Sequence, residues 1–209
     1  MSEFISLYSG SSGNCSVVRT GEKYIIIDMG KGVRTTSAAL KALDLAISDC
    51  DGILVTHEHS DHVKGLSTFL KKNPLPVYGS ADTLDFLDAN GIVPPSCELN
   101  TLEGREEDVG AFGVQSFPTS HDVPCVGYRI HTPDGKTMTI ATDLGVLTPP
   151  VHEALSGCDP ELFSEGLRVS LYNYMNGTGF DLPLHKWFGG MKVPRTTLPP
   201  NYIERIVEE

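Results

Sequence analysis

Three of the seven histidines of the chain lie within six residues, at positions 57, 59 and 62, with Asp61 beside the last of them. The cluster follows residues 52–56, a short apolar segment with the length and composition of a buried strand. Side chains alternate along an extended chain, so His57 and His59 should project the same way, while a turn aims Asp61 and His62 at a second point. The spacing therefore predicts two neighbouring metal sites on a loop between a strand and a helix.

The donor atoms of this cluster indicate a catalytic rather than a structural metal. Neutral imidazoles and a carboxylate suit Zn²⁺, Mn²⁺ or Fe²⁺. The five cysteines are odd in number, widely spaced and without a Cys-x-x-Cys pair, which argues against both a thiolate zinc site and a disulfide framework.

Two later segments can complete the sites. His121 follows a predicted strand and can add a third imidazole to the metal held by His57 and His59, leaving one position for water. Asp143 lies at the tip of another predicted strand, where a carboxylate can bridge two cations about 3.5 to 4 Å apart.

The rest of the sequence alternates short strands with helices and contains no internal repeat or low-complexity linker. This pattern predicts a single α/β domain over residues 1–209. The predicted helices are residues 35–45, 63–72 and 81–89, and the predicted strands are residues 4–8, 16–20, 24–28, 52–56, 77–78, 97–102, 112–117, 126–132 and 137–141.

The formal net charge is −11, and no run of Lys and Arg forms a stripe for nucleic acid. This weakens a plain nucleic-acid-binding role without excluding a nuclease, because bound divalent ions reverse the local electrostatics. The longest apolar runs, such as residues 24–27, are far shorter than the ~20 residues that span a bilayer, and residues 1–10 lack a signal-peptide pattern. We therefore expect a cytoplasmic protein with no membrane partner.

Residues 57–62, taken together with Asp28, His121 and Asp143, resemble the metallo-β-lactamase-fold hydrolases. The resemblance implies a four-layer αββα sandwich with a dinuclear metal site at the rim of its two sheets. Residues 7–14, 57–66, 120–128 and 142–145 are more specifically similar to the small WalJ/YycJ-type branch of that family. Members of this branch are treated as metal-dependent phosphodiesterases or 5′ to 3′ DNA exonucleases.

The resemblance also implies a ligand set and a substrate class. The cofactors would be two divalent ions, Zn²⁺ or Mn²⁺, and the substrate a phosphodiester such as DNA. One ion would be held by His57, His59 and His121, the other by Asp61 and His62, with Asp143 bridging the two.

Asp61 and several polar side chains around the ligands have further candidate roles. Asp61 can orient the metal-activated water and accept its proton. Asp28, at a strand end, is expected to hydrogen-bond a ligand imidazole. The Gly-rich turn that carries Ser11, Ser12 and Asn14 either presents groups to the substrate or is only a tight turn.

Asp122 is either the general acid for the leaving group or a residue that faces solvent, and the sequence leaves this open.

Three functions also stay open. The first is a phosphodiesterase or exonuclease. The second is an ester, thioester or lactone hydrolase of the same fold, glyoxalase-like or lactonase-like. The third is a degraded member that binds metal without turnover.

Residues 163–209 form an atypical tail that departs from the branch pattern. An acidic-Ala/Ser-Asn segment and a Gly-His-Leu-Ser-Asn motif are expected there and are absent, and residues 192–201 read Lys-Val-Pro-Arg-Thr-Thr-Leu-Pro-Pro-Asn instead. The histidine of that motif completes the second metal site, and His185 is its candidate substitute. We interpret the tail as diverged or read in a shifted frame, and we expect a missing ligand to weaken the second site.

Overall fold

The computed structural model describes residues 1–156 and Cys158, which contain two β-sheets. The first sheet has the order β1-β2-β3-β4-β5-β6, and the second has the order β10-β9-β8-β7. The first comprises β1 (Ser2–Tyr8), β2 (Cys15–Thr20), β3 (Lys23–Ile27), β4 (Cys50–Leu54), β5 (Val77–Gly79) and β6 (Leu99–Thr101). The second comprises β7 (Glu106–Val109), β8 (Phe112–Thr119), β9 (Cys125–His131) and β10 (Thr137–Ile140).

The direction of the strands differs between the sheets. β1, β2 and β3 pair antiparallel through short turns, whereas β3 to β6 run parallel and are joined through helices. The second sheet is antiparallel throughout. The helices in the described part of the chain are α1 (Val33–Ala42), α2 (Ser60–Val63), α3 (Leu66–Leu70), α4 (Ala81–Ala89) and α5 (Pro149–Leu155), with a 3₁₀ turn at Ile47–Asp49.

Three apolar clusters define four layers. Along β3, Ile26 faces a cluster that includes Leu40 of α1 and Leu66 of α3, whereas Ile25 faces a second cluster that includes Phe112 of β8. The two neighbours point to opposite faces because strand side chains alternate, and both faces are buried. A third cluster packs α5 on the second sheet through Phe117, Ala141, Val151 and Ala154. The predicted four-layer αββα sandwich is confirmed.

The helix predicted over residues 63–72 is interrupted. It begins earlier, at Ser60, and divides at Gly65 into α2 and α3. The amide of Gly65 donates to the carbonyl of Met29 over 2.8 Å, and a Cβ at Gly65 would lie 1.8 Å from the carbonyl oxygen of Lys31. This close approach seats the metal-binding segment directly on the loop that follows β3.

One strand was missed by the sequence analysis. β7 has the sequence Glu-Glu-Asp-Val, and its acidic residues give no apolar alternation from which a strand could be predicted. It pairs with β8 at the edge of the second sheet, where polar side chains can face solvent. Among the described residues, no helix is long and apolar enough to cross a membrane.

Candidate metal centre

The first sheet brings Asp28 and the histidine cluster together. β3 and β4 are parallel neighbours, so the residues that follow them lie side by side at the carboxyl ends of these strands. The amide of Asp28 donates to the carbonyl of the last residue of β4 over 2.9 Å. His57 and His59 lie on the loop after β4, whereas Asp61 and His62 lie on the short helix α2.

The second sheet supplies His121 and Asp143 from loops at the same end of the sandwich. β8 and β10 both run antiparallel to β9, so their carboxyl ends point the same way and carry these two residues. The amide of Val126 donates to the carbonyl of Thr56 over 3.1 Å and ties this end of the second sheet to the first sheet.

Two site residues have an unusual backbone. Asp28 has a φ of 59° and Asp143 a φ of 53°, in the left-handed region that side chains other than glycine rarely adopt. Such conformations cost about 1–3 kcal/mol and persist where tertiary contacts hold them. Both residues follow a strand and turn their carboxylates toward the histidines, so the constraint lies at the edge where the ligands converge.

His57, His59 and His121 form the first ligand group, in which one donor atom from each residue lies within 4.8 Å of the others. Nε2 of His121 lies 3.2 Å from Nδ1 of His59. Nε2 of His57 is buried and has no hydrogen-bond partner. A buried nitrogen without a partner is costly in a protein interior, and a metal ion would satisfy it.

His57, His62 and Asp143 form the second ligand group, with donor atoms also within 4.8 Å of one another. Oδ2 of Asp143 is buried and lies 3.0 Å from Nε2 of His62. Oδ2 of Asp61 lies 3.7 Å from the same nitrogen. Nitrogen and carboxylate oxygen suit a divalent transition metal, so the residues of each group fit such an ion.

Burial and charge set the protonation of these ligands. Burial and the positive charge of His62 lower the pKa of His57 to about 4. Burial would also lower the pKa of His62, but the carboxylates of Asp28 and Asp143 outweigh it and raise that pKa to about 10. Burial opposes ionisation of Asp143, yet the adjacent His62 holds its pKa below the ordinary value. The shared imidazole is thus neutral near pH 7, which is the form that binds metal.

A buried hydrogen-bond network supports His62. Oδ2 of Asp28 lies 2.7 Å from Nδ1 of His62, the kind of contact the sequence analysis expected. Nδ2 of Asn14 lies 2.9 Å from the other ring nitrogen and donates over 3.2 Å to Oδ2 of Asp61. Asn14 therefore contacts the second ligand group from the Gly-rich turn, which makes the turn part of the site.

The remaining predicted residues lie farther out. Ser11 and Ser12 are exposed, and Ser12 Oγ accepts a hydrogen bond from Nζ of Lys31 over 2.8 Å. The carboxylate of Asp122 is 71% exposed and lies 3.2 Å from Nε2 of His121. His185 and the rest of the atypical tail, residues 163–209, lie outside the described residues.

Three polar groups at the site were missed by the sequence analysis. Thr56 Oγ1 lies 2.9 Å from Nδ1 of His57, and Cys125 Sγ lies 3.6 Å from the same atom. Oε2 of Glu58 is buried without a hydrogen-bond partner. The position of Thr56 next to the cluster was a signal for its role, whereas nothing in the sequence linked Cys125 to His57, 68 residues away.

The fold and the His/Asp cluster are those of a metallo-hydrolase, and the chain belongs to the metallo-beta-lactamase superfamily, whose family model matches residues 8–138. Within it, the chain is similar to the exodeoxyribonuclease YycJ of Bacillus anthracis, with 34% identity over 80% of this chain and 64% of the relative. It is also similar to the exodeoxyribonuclease WalJ of Streptococcus pneumoniae, with 29% identity over 79% of this chain and 62% of the relative. The predicted resemblance to the WalJ/YycJ-type branch is confirmed.

The chain thus spans less than two thirds of the length of these two relatives. Among solved structures, Zn²⁺-bound PqqB from Methylobacterium extorquens superposes with a TM-score of 0.62 at 16% identity, covering 76% of this chain and 71% of the other. At that identity the likeness supports the fold alone.

Proposed function

We propose that this chain is a metal-dependent hydrolase of phosphodiester bonds that uses two divalent ions, Zn²⁺ or Mn²⁺, and acts on nucleic acid as an exonuclease. The observation that carries the proposal is the meeting of two ligand groups at one buried imidazole, His57. Two ions held side by side are the arrangement that enzymes use to stabilise both the attacking and the leaving oxygen of a phosphoryl group.

The proposed ligands follow the two groups. His57, His59 and His121 would hold one ion, His62 and Asp61 the other, and Asp143 would lie between them. When bound, the ions lower the pKa of a water molecule toward 7 and neutralise charge on the phosphoryl oxygens.

Asp61 is the proposed acceptor of the proton of the attacking water. Its carboxylate is partly exposed, so it can reach a water at the metal pair, and Asn14 holds it in place over 3.2 Å. The oxygen of the water would form a new bond to phosphorus while the bond to the leaving oxygen breaks. The leaving oxygen would then take up a proton, for which the neighbouring Asp122 is the candidate donor.

The substrate class is supported by the relatives and by one cation. Two relatives bear the name exodeoxyribonuclease. The ammonium of Lys31 donates to Ser12 on the turn that contacts the second ligand group, and among the described residues no carboxylate pairs with it. A lysine in such a position suits the phosphate oxygens that flank a cleaved bond.

The test compares substrates on one preparation purified without chelators. Metal content per chain is measured by mass spectrometry, and turnover of bis(p-nitrophenyl) phosphate is compared with that of thioester and lactone substrates. Linear DNA labelled at either the 5′ or the 3′ end then reports the direction of digestion. We expect two equivalents of metal, phosphodiester turnover, and release of the 5′ label first.

The matched control is Asp61→Asn, which keeps the size of the side chain but removes the proton acceptor. It should keep the ion held by the three imidazoles, bind the second ion more weakly, and lose most of its turnover even at saturating metal. Hydrolysis of thioesters or lactones without phosphodiester turnover would replace the proposal by the ester-hydrolase alternative. Metal binding without turnover of any substrate would indicate a member that has lost its activity.

A further inference from the structure

The hydroxyl of Thr56 lies at the centre of the buried network around the ligands. Its Oγ1 is 2.9 Å from Oδ2 of Asp28 and 3.1 Å from Oδ1. The same oxygen is 2.9 Å from Nδ1 of His57. The exposed fraction is 0% for Thr56 and for His57 and 2% for Asp28, so bulk water does not compete for these contacts.

The number of protons available fixes the direction of each hydrogen bond. A hydroxyl group has one proton and two lone pairs, and a carboxylate accepts only. The proton of Thr56 therefore goes to Asp28, and the backbone amide of Thr56 also donates to that carboxylate, over 2.9 Å. With its proton committed, Thr56 can only accept from His57, which requires a proton on Nδ1 of the imidazole.

The opposite arrangement would be unfavourable. If Thr56 donated to His57, its lone pairs would face both oxygens of a buried carboxylate at 2.9 and 3.1 Å, and no proton would lie between them. A second neighbour of Nδ1, the sulfur of Cys125, is farther away at 3.6 Å and is a weak acceptor. Thr56 is thus the group that determines the tautomer of His57.

The other end of His57 agrees with this assignment. With the proton on Nδ1, Nε2 carries a lone pair, and this atom is buried without a hydrogen-bond partner. Asp28 acts in the same way on His62, whose Nδ1 lies 2.7 Å from Oδ2. One carboxylate therefore contacts one imidazole directly and the other through a hydroxyl.

We propose that Thr56 is a positioning residue that holds His57 in the Nδ1-protonated tautomer, so that Asp28 prepares metal ligands of both groups. The proposal rests on the metal-binding part of the proposed function. It does not depend on the substrate, and its tests require no turnover.

The first test measures the tautomer in metal-free protein with ¹⁵N-labelled histidine. Long-range ¹H–¹⁵N spectra near pH 8 separate a protonated ring nitrogen from one with a free lone pair, and His57→Gln identifies the signals of His57. In the unmodified chain we expect a protonated Nδ1 and a bare Nε2. A proton on Nε2 instead would overturn the proposal without the need for any Thr56 variant.

The second test removes the hydroxyl at nearly constant volume. Thr56→Val should shift His57 toward a mixture of tautomers, whereas Thr56→Ser, which keeps the hydroxyl, should restore the original spectrum. Cys125→Ala removes the sulfur contact and should leave the tautomer unchanged. An unchanged spectrum in Thr56→Val, or the same change in the serine variant, would contradict the role assigned to the hydroxyl.

The third test measures Zn²⁺ affinity by competition with a chromogenic chelator. Loss of a partner that orients a ligand typically weakens metal binding by about 10–100-fold, and we expect this for Thr56→Val and a much smaller loss for Thr56→Ser. Equal affinities of the valine variant and the unmodified chain would overturn the proposal. Failure to cleave phosphodiesters would count against the proposed function alone and would leave these readouts intact.

Discussion

The two ligand groups share His57 but are built differently. The first group consists of three imidazoles, and the side chains of His59 and His121 are 34% and 21% exposed. The second group is deeper, with His62 only 1% and Asp143 17% exposed. The first is open to solvent on one side, as a position for water or substrate requires, whereas the second is enclosed by protein.

The supports of the two groups differ in the same sense. His62 is held at Nδ1 by Asp28 over 2.7 Å, and Nδ2 of Asn14 lies 2.9 Å from its other ring nitrogen. His59 and His121 contact each other and the exposed Asp122. The first group thus depends on the convergence of chain segments from two sheets, and the second depends on a buried network of charges and hydrogen bonds.

Removal of His57 should have the largest effect. His57→Ala takes an imidazole from the first group and removes the residue at which the two groups meet, so we expect metal content to fall by at least one equivalent and phosphodiester turnover to fall with it. The loss of affinity should exceed the 10–100-fold typical of an outer partner. Mass spectrometry of the purified variant measures the metal content.

The control for His57→Ala is His131→Ala. This histidine contacts Thr137 and Glu106 on the second sheet and belongs to neither ligand group. Its removal should leave metal content unchanged. If His57→Ala kept both equivalents, the role of His57 as a metal ligand would be wrong.

Variants specific to one group should each remove about one equivalent of metal. His121→Ala takes an imidazole from the first group only, whereas Asp143→Asn takes a charge from the second group, at the position proposed to lie between the two ions. Asparagine tolerates the left-handed backbone at position 143, where φ is 53°. Titration with Zn²⁺ should show that each variant keeps one tight site.

The pair of variants also tests how strongly the groups are coupled. If either variant lost both ions, the two groups would form one cooperative centre. The difference in exposure between the two groups would then not correspond to a difference in metal affinity. Thermal unfolding of the metal-free variants checks that the fold is retained in each case.

Most of the strands and helices could be predicted from the sequence. Alternating apolar residues located nine strands, and α4 was predicted with its observed bounds, Ala81–Ala89. The layers followed from the resemblance, since periodicity alone does not determine which faces of a strand pack together. Divided helices such as α2 and α3 could not be predicted, because the break depends on the approach of Met29 and Lys31 to Gly65 from a distant loop.

The site was predicted unevenly for a similar reason. Residues 57–62 lie close together in sequence, so their spacing was informative, and His121 and Asp143 converge with His57 in the structure. The hydrogen bonds of Thr56 and Cys125 depend on tertiary contacts that no local pattern encodes. The roles of the ligands, the single domain over residues 1–209, the part played by His185 and the cytoplasmic location stay predictions.

A smaller effect is expected from Asp28→Asn, which should act on both groups at once. The carboxylate contacts His62 directly and His57 through Thr56, and an amide of equal size would present a donor where an acceptor is needed. We expect Zn²⁺ affinity to fall about 10–100-fold, which is typical for loss of such a partner, with the second group affected more.

Competition titrations on Asp28→Asn alone and combined with Asp143→Asn separate the two contributions. If the first group kept its full Zn²⁺ affinity in the double variant, the contact from Asp28 to His57 through Thr56 would contribute nothing to metal binding. Asparagine also tolerates the left-handed backbone at position 28, where φ is 59°, so backbone strain should not obscure the result.

The smallest effect on metal binding is expected from Asp122→Asn, on the open side of the first group. The carboxylate is 71% exposed and lies 3.2 Å from His121 and 3.5 Å from His59. Exposed pairs of this kind contribute about 0–1 kcal/mol, so Zn²⁺ affinity should change little.

If Asp122 protonates the leaving oxygen, kcat for a poor leaving group such as an alkyl alcohol should fall far more than kcat for p-nitrophenol, which leaves readily without a proton. Equal kcat values for variant and unmodified chain on both esters would show that Asp122 only faces solvent, whereas a large loss of metal would mean that the first group is less open than its geometry indicates.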